Sequence, residues 1–305
     1  MKRERGVAVL TAILVVAVSA SAAALMLAQQ SAMVDQAMLV ASRAQADLYA
    51  RTGLDWARGV LQQDARSGDK VDYLGEGWAQ PIAALPVERA IVSGSITDEQ
   101  GKFNLNNLVR DNNRSQTDFL AFQRLLASQG LAPELAEAVV DWIDGDSDLS
   151  GAAGAEDQYY LALRKPYRAA NAPMMQVEEL YRVRGFDAAA VKKLRPYVTA
   201  LPGNTPVNVN TAPAAVLLAL LPDLGERIGA HIKVRDAKPL RTKEEIKRWA
   251  GRDLKPAEDE RLDVASSFFY VRVQVAQDDV ELSTDALVAR SANARPNLLW
   301  RRPRY

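Results

Sequence analysis

From Val7 to Leu27 the chain is apolar without interruption and carries no charge, long enough to cross a bilayer, which takes about 20 such residues. The pattern then stays helical to about Asp64. Val34, Met38, Ala41 and Leu48 form a stripe of 3.6-residue period, and Tyr49, Trp56 and Val60 continue it with some drift among Asp35, Arg43, Asp47, Arg51, Asp55 and Arg58. The expected element is one helix whose first half spans the membrane and whose second half packs on a sheet. At 1.5 Å per residue, residues 7–64 would form a rod of roughly 85 Å. Gly, Asp and Pro between Ser67 and Pro86 end it. "AIVSGSITDEQGKFNLNNL" predicts a hairpin from about Ala90 to Leu108 around a "DEQG" turn. "SSFFYVRVQVAQ" and "DDVELSTDALVAR" predict further strands, alternating through Phe269, Val271, Val273 and Val275. Both β regions are expected to share one antiparallel sheet against the helix. Between them, from Arg110 to Leu262, nearly everything reads as short helices. The expected class is therefore α+β, with a large all-α insertion in the middle of the sheet. The basic end of "RPNLLWRRPRY" reads as a mobile tail, with Leu298, Leu299 and Trp300 available to dock on a partner.

Charge and composition place most of this chain beyond a membrane. Lys2, Arg3 and Arg5 would remain cytoplasmic by the positive-inside rule, which sends everything after the apolar run across. Two cut sites are open. The small residues from Ser19 to Ala24 could end a secretory signal, whereas the basic leader itself stops at Gly6, directly before the helix. Lys and Arg number 38, as do Asp and Glu, so no net charge points to nucleic acid. Loss of residues 1–6 would leave the chain near minus two. Cysteine is absent, which excludes disulfides and thiolate metal sites. His231 is the only histidine and sits in a helical pattern, in a packing or surface position. With no Walker loop and no His-rich zinc spacing, the chain is expected to act by assembly and not as an enzyme.

Two stretches carry candidate chemistry. In "VVDWIDGDSDLSGAAGAEDQYY", Asp141, Asp144, Asp146 and Asp148 fall within eight residues, and Glu156 and Asp157 follow a Gly/Ala-rich loop. Ca²⁺ takes six to eight oxygens, commonly from such loops. The spacing matches an EF-hand at Asp144, Asp146 and Asp148, but Leu149 replaces the Gly that the EF-hand loop requires. Three readings stay open on spacing alone: a solvated loop whose Asp residues cap turns, a cation site, and paired carboxylates for acid/base work. "VNVNTAPAAVLLALLPDLGERIGAHI" resembles a helix-hairpin-helix unit turning at Leu224, Gly225 and Glu226, and "VEELYRVRGFDAAAVKKLRPYV" is a looser copy. DNA-binding versions neutralise phosphate with Lys and Arg. Here Asp223 and Glu226 flank the turn, and residues 201–262 hold 11 basic against 9 acidic residues. The hairpins read as a packing scaffold with no nucleic acid. A membrane-anchored DNA-binding or DNA-uptake protein is the rival.

"RERG" followed by "VAVLTAILVV" resembles the class III leader of type IV pilins and type II secretion pseudopilins. The ordered series "DWIDGDSD", "GAEDQYY", "KPYRAANAPM" and "VEELYRVRGFD" resembles the general secretion protein K family, the large minor pseudopilins of type II secretion. This resemblance covers practically the whole chain. It implies a leader at 1–6 cut after Gly6, a methylated Val7 as mature N-terminus, and a transmembrane part at 7–27. A pilin-like domain at 28–109 and 263–296, an inserted α-helical domain at 110–262 and a tail at 297–305 complete the expected organisation. The resemblance further implies a structural Ca²⁺ with Asp144, Asp146, Asp148, Glu156 and Asp157 as candidate ligands, and Asp141 and Asn171 as additional ones. Implied partners are the minor pseudopilins I and J, with H below them. The major pseudopilin, exoproteins and the secretin are further candidate contacts. The expected location is the inner membrane, with the C-terminal domain periplasmic and at the pseudopilus tip after assembly. Most relatives carry Glu at mature position five, whereas this chain has Thr11 there. Absence of that carboxylate suits a filament end better than a shaft. A type IV pilus minor pilin is the alternative within the same superfamily.

Overall fold

A computed structural model describes residues 4–67, 70–291 and 294–304, with only the backbone described at 4–6. The first three leader residues therefore lie outside the described residues. Helix α1 runs from Glu4 to Arg66. At 1.5 Å per residue it is about 95 Å long. Residues 7–41 are exposed throughout, consistent with a single-pass membrane anchor followed by a free stalk.

The helix packs on the sheet through small residues. Its buried face is Ala46, Ala50, Leu54, Ala57 and Leu61, set against Ile96, Phe269, Val271, Val273 and Val275. Gly53 belongs to that face, since a Cβ there would come 2.9 Å from Val273 Cγ1. The stripe expected to pack lies on another side. Val34 is 50% exposed, Met38 and Leu48 are exposed, and Trp56 is 54% exposed. Tyr49 and Val60, half-buried, do pack at the edge of this core, and with Trp56 they line a groove against Leu85 and Val87. Large side chains carry the strongest periodic signal, but the sheet approaches where side chains are smallest, because a close helix–sheet contact leaves no room for indole rings.

Five strands form one antiparallel sheet: β1 (Ile82–Val87), β2 (Ala90–Asp98), β3 (Phe268–Gln277), β4 (Val280–Ser291) and β5 (Ala294–Arg304), adjacent in that order. The pairing of β2 with β3 joins the two β regions as expected, with Ala90 opposite Gln277 and Asp98 opposite Phe269. Three local expectations are corrected. The 90–108 hairpin does not form: the turn after Asp98 exists, with Lys102 N donating to Glu99 O at 3.2 Å, but Phe103 and Asn104 pair in parallel with Val198 and Thr199. Phe103 is fully buried in the helical lobe, stacked on Phe122, so burial draws the chain away from β2. The strand that does pair with β2 on that side is β1, hidden in the sequence by Pro86, an irregular register and the positive φ of Ala84. Residues 297–304 are not a mobile tail but most of β5, held on β4. Arginines and two prolines disguise it, a composition typical of an edge strand that must resist pairing with other chains.

The inserted lobe contains α2 (Gln116–Ser128), α3 (Leu135–Ile143), α4 (Asp157–Leu161), α5 (Ala188–Leu194), α6 (Ala214–Leu220), α7 (Ile228–Ala237), α8 (Lys243–Ala250) and α9 (Pro256–Asp259). Its core is separate from that of the sheet and is built on Phe103, Leu105, Phe122, Leu125, Val139, Trp142, Leu194 and Leu217 among others. Between α6 and α7 the chain turns at Gly225, φ +47°. Buried asparagines tie the loops together: Asn106 Nδ2 donates to the carbonyls of Met174 and Leu201, and Asn210 Nδ2 to that of Leu240. Asp118, fully buried on α2, is matched by Arg261, with Nη2 donating to Oδ2 at 3.0 Å.

The packing face makes a direct prediction for the unfolding of the membrane-free domain in denaturant. Leu54→Ala should cost about 2–5 kcal/mol, the usual range for a buried leucine. Trp56→Ala, on the exposed stripe, should cost far less despite removing a larger side chain. Equal losses would put the packed face elsewhere.

Candidate metal site

Helix α3 is buried nearly all round, and its C-terminal turn buries acid along with apolar side chains. Asp141 is completely buried beside Trp142, and Asp144, which ends the helix in an extended conformation, is 6% exposed. The loop that follows folds back over this end. Ser150 N donates to Asp141 Oδ1 at 2.9 Å, and Ala153 N to Glu137 Oε2 at 2.7 Å. Gly151 and Gly154 are required there, because a Cβ on either would strike the carboxylates of Glu137 and Asp141. The loop delivers Glu156, 5% exposed, at the start of α4. Beneath it, Tyr160 is fully buried among Trp142, Tyr159 and Tyr167. Arg184 secures the loop by donating to Gly154 O at 2.7 Å.

Asp144, Asp146 and Glu156 each offer an oxygen within 4.8 Å of the others. Asp144 Oδ1, both carboxylate oxygens of Glu156 and Asp141 Oδ2 are buried and receive no hydrogen bond. Asn171, held at φ +43°, donates from Nδ2 to Asp146 O at 2.9 Å, and its Oδ1 is likewise buried and unsatisfied. Buried polar atoms are normally paired, so five unsatisfied oxygens on residues in and beside this acidic group make it a candidate for a positive partner. All are hard oxygen donors, the set suited to Ca²⁺ and unsuited to softer metals. Without a cation the charges resist ionisation. Burial, then Asp146 and Asp141, pushes Asp144 up to about 7, and burial, then the surrounding aspartates, pushes Glu156 up to about 7. Burial also raises Asp141, against the pull of its bonds from Ser150.

Of the residues singled out in the sequence, Asp144, Asp146 and Glu156 come together, while Asp141 lies one turn back on α3 and Asn171 is tied to the Asp146 carbonyl. Asp148 is exposed, and its backbone N–H donates to Asp146 Oδ1 at 2.9 Å. Asp157 accepts from Ala169 N at 3.0 Å and lies 3.7 Å from Arg168, which places its carboxylate in the loop's own framework. Sequence reading passed over Glu137, although its i, i+4 and i+7 relation to Asp141 and Asp144 marks one helix face. A second acidic trio, Asp64, Asp72 and Glu76, is also compact, but Arg290 lies against Asp64 and donates to Asp72 Oδ1 at 2.7 Å, while Glu76 Oε2 accepts from Trp78 Nε1 at 2.7 Å. That trio carries its own counter-charge.

With chelator present, stability should depend on pH in a defined direction. The folded state holds Asp144 and Glu156 protonated up to about 7, whereas the unfolded chain releases those protons near 4. Folding therefore binds protons, and stability should fall as pH rises through that window. Melting curves at intervals from pH 4.5 to pH 8 would show it. A melting temperature that climbs steadily across the window would contradict the placement of these carboxyls.

Comparison with known proteins gives one family. Residues 101–203, which include the whole acidic site, match the family described as type II secretion system protein K. The protein of that name from Pseudomonas aeruginosa is 39% identical over 228 residues, covering 71% of this chain and 68% of its own. The one from Aeromonas hydrophila is 31% identical over 98% of this chain and 97% of its own. A chain in the crystal structure of the GspK-GspI-GspJ complex of the enterotoxigenic Escherichia coli type 2 secretion system shares the fold, with a TM-score of 0.78 and 24% identity over 88% of this chain and 99% of that one. On sequence extent and fold together, the chain belongs to the type II secretion system protein K family.

Proposed function

We propose that this chain is a membrane-anchored minor pseudopilin that caps a periplasmic pseudopilus, and that its helical lobe is held in shape by Ca²⁺. The observation that carries the first part is α1: its apolar residues 7–27 are wholly exposed, yet the same helix continues without a break into the core of a pilin-like domain. A helix of that construction serves as an anchor before assembly and as filament core afterwards. Family membership favours this reading over a DNA-uptake protein, and the hairpin around Gly225 supports a scaffold role. Leu224 is buried, Asp223 pairs with Arg252 at 3.0 Å, and Arg235 is buried and donates to Val209 O and Ala212 O at 2.8 and 2.7 Å. His231 lies edge-on to Trp249, whose Nε1 donates to the His231 carbonyl, a packing role and not a catalytic one.

Partnership with the I and J pseudopilins is the reading that the shared fold supports, since the solved relative occurs in a complex with proteins of those names. Position at the tip is supported by Thr11. Its hydroxyl donates back to the carbonyls of Val7 and Ala8 at 3.1 and 2.9 Å, so it satisfies itself within its own helix and presents no charge to a neighbour. The lobe of about 150 residues, with a radius near 15 Å, would collide with adjacent subunits in a wound shaft. Gly6, the proposed recognition residue, immediately precedes Val7 inside the same helix. For the lobe, the orphaned oxygens of Asp141, Asp144, Glu156 and Asn171 support a hard cation, and Ca²⁺ would supply charge neutralisation and loop cross-linking there.

Three experiments test this reading. Co-expression with candidate I and J pseudopilins and purification from detergent should recover a complex, and failure of the full mature chain to co-purify with either would remove the tip assignment. Mass spectrometry of the mature chain should find methylated Val7 as its first residue, whereas a start after Ala22 or Ala24 would indicate an ordinary secretory signal. Chelation at pH 7.5 should lower the melting temperature, because a ligand bound only by the folded state stabilises it by mass action. Asp144→Asn with Glu156→Gln should abolish that response. Identical curves with and without Ca²⁺ would leave the carboxyls as a protonated buried cluster.

A further inference from the structure

Two hydrophobic cores that share few side chains must be fixed in relative orientation by what crosses between them. One attachment is buried and central. Asp98, at the end of β2, accepts from Asn208 Nδ2, Thr211 Oγ1 and Ser266 Oγ at 3.0, 2.6 and 2.6 Å, and Arg290 reaches Asp72 beside it. Two of the chain crossings between sheet and lobe run through this point, side by side, with Glu99 N donating to Phe268 O at 3.0 Å. The segment after α1 joins the same attachment, with Val71 buried in the lobe's core and Asp72 N donating to Val264 O at 2.9 Å.

The second attachment is C-terminal. Strand β5 is paired to β4 and riveted to α1 by Arg301 on Asp47, by Arg295 on Asp55 at 2.9 Å, and by Arg58 donating to Pro296 O at 2.7 Å. On its other side Arg302 stacks over Trp300, 4.4 Å from the ring centroid, and reaches across to the lobe. There it donates to Gln176 and lies 3.5 Å from Glu178, which also pairs with Arg195. Between the two attachments lies a cleft of about 250 Å³, floored by Thr199, Tyr270, Leu287 and Trp300. The geometry points to a clamp: the C-terminal strand closes this cleft through Arg302 and thereby locks the helical lobe against the pilin-like domain.

The clamp is built to release. The side chains of Arg302 and Glu178 are 38% and 29% exposed, so solvent and salt reach the pair, unlike the joint at Asp98. Exposed ion pairs are weak and salt-sensitive, and screening shortens to about 3 Å at 1 M ionic strength. When the clamp opens, both cores remain intact and the lobe turns on its central joint. Lobe orientation is then an adjustable property of the subunit, set by a contact a neighbouring chain could displace.

Absence of cysteine makes the test clean. Spin labels at Gln274→Cys on β3 and Lys192→Cys on α5, in the full chain in detergent, report the distance between sheet and lobe. At low salt the distribution should be narrow. Arg302→Glu should widen it about twofold, and 1 M salt should widen the parent's similarly, with near-UV ellipticity retained. Glu178→Arg in the Arg302→Glu background should narrow it again. A distribution that stays narrow in 1 M salt, or in Arg302→Glu, would overturn the clamp, as would a charge reversal that leaves the distance as broad as the single variant.

Discussion

Too many carboxylates without donors is the constraint around which the helical lobe is arranged. Asp141 and Asp144 are buried because the last turn of α3 also packs in the lobe's core, and Glu156 is brought to them by a loop held on Glu137, Asp141 and Arg184. Glycines at 151 and 154 let that loop come close enough to hydrogen-bond Glu137 and Asp141, and the same closeness squeezes out the water that would otherwise solvate the acids. Protonation or a cation must compensate. Burial and the neighbouring aspartates push Asp144 and Glu156 up to about 7, so at neutral pH the proposed cation would neutralise what protonation leaves charged.

The same lobe is grafted onto a simpler frame. Helix α1 and the sheet make their own core, and the insertion enters and leaves between β2 and β3, strands that pair along nine residues. A graft between paired strands is permitted because its entry and exit points are adjacent, so the sheet closes as though the lobe were absent. Asp98 sits at that seam, fully buried, and burial raises it to about 6 against the pull of its hydroxyl and amide donors. Those donors come from the lobe and from the crossing segment, so polar contacts knit the seam, as buried asparagines and the Asp118–Arg261 pair knit the loops inside the lobe.

Much of this was legible in the sequence where patterns are local. The apolar run, the uninterrupted helix and the alternation of Phe269, Val271, Val273 and Val275 follow from spacing, whereas for the acidic stretch spacing left three readings open and the candidate ligands came from the resemblance, of which Asp144, Asp146 and Glu156 converge. What escaped was decided by tertiary context. The packing face of α1 is a row of alanines that carries little periodic signal beside Trp56 and Met38. Strand β5 reads as a basic tail because its arginines find their partners on α1 and the lobe, far away in sequence. Phe103 leaves its hairpin for the ring of Phe122 and a backbone partner at Val198, far along the chain, and no turn motif records that pull. Asp157 looked equal to Glu156, yet one faces the gap without donors while the other closes the loop onto Ala169 and Arg168.

The claim on which the account rests is that the gap between Asp144, Asp146 and Glu156 is a cation site of the folded lobe. Metal analysis of the full chain, purified in detergent without added chelator and washed of loosely held ions, addresses it most directly. The account predicts bound Ca²⁺ in stoichiometric amount, lost from the chain carrying Asp144→Asn and Glu156→Gln while the far-UV spectrum is kept. A parent chain free of metal that does not take up Ca²⁺ on titration at neutral pH would contradict it.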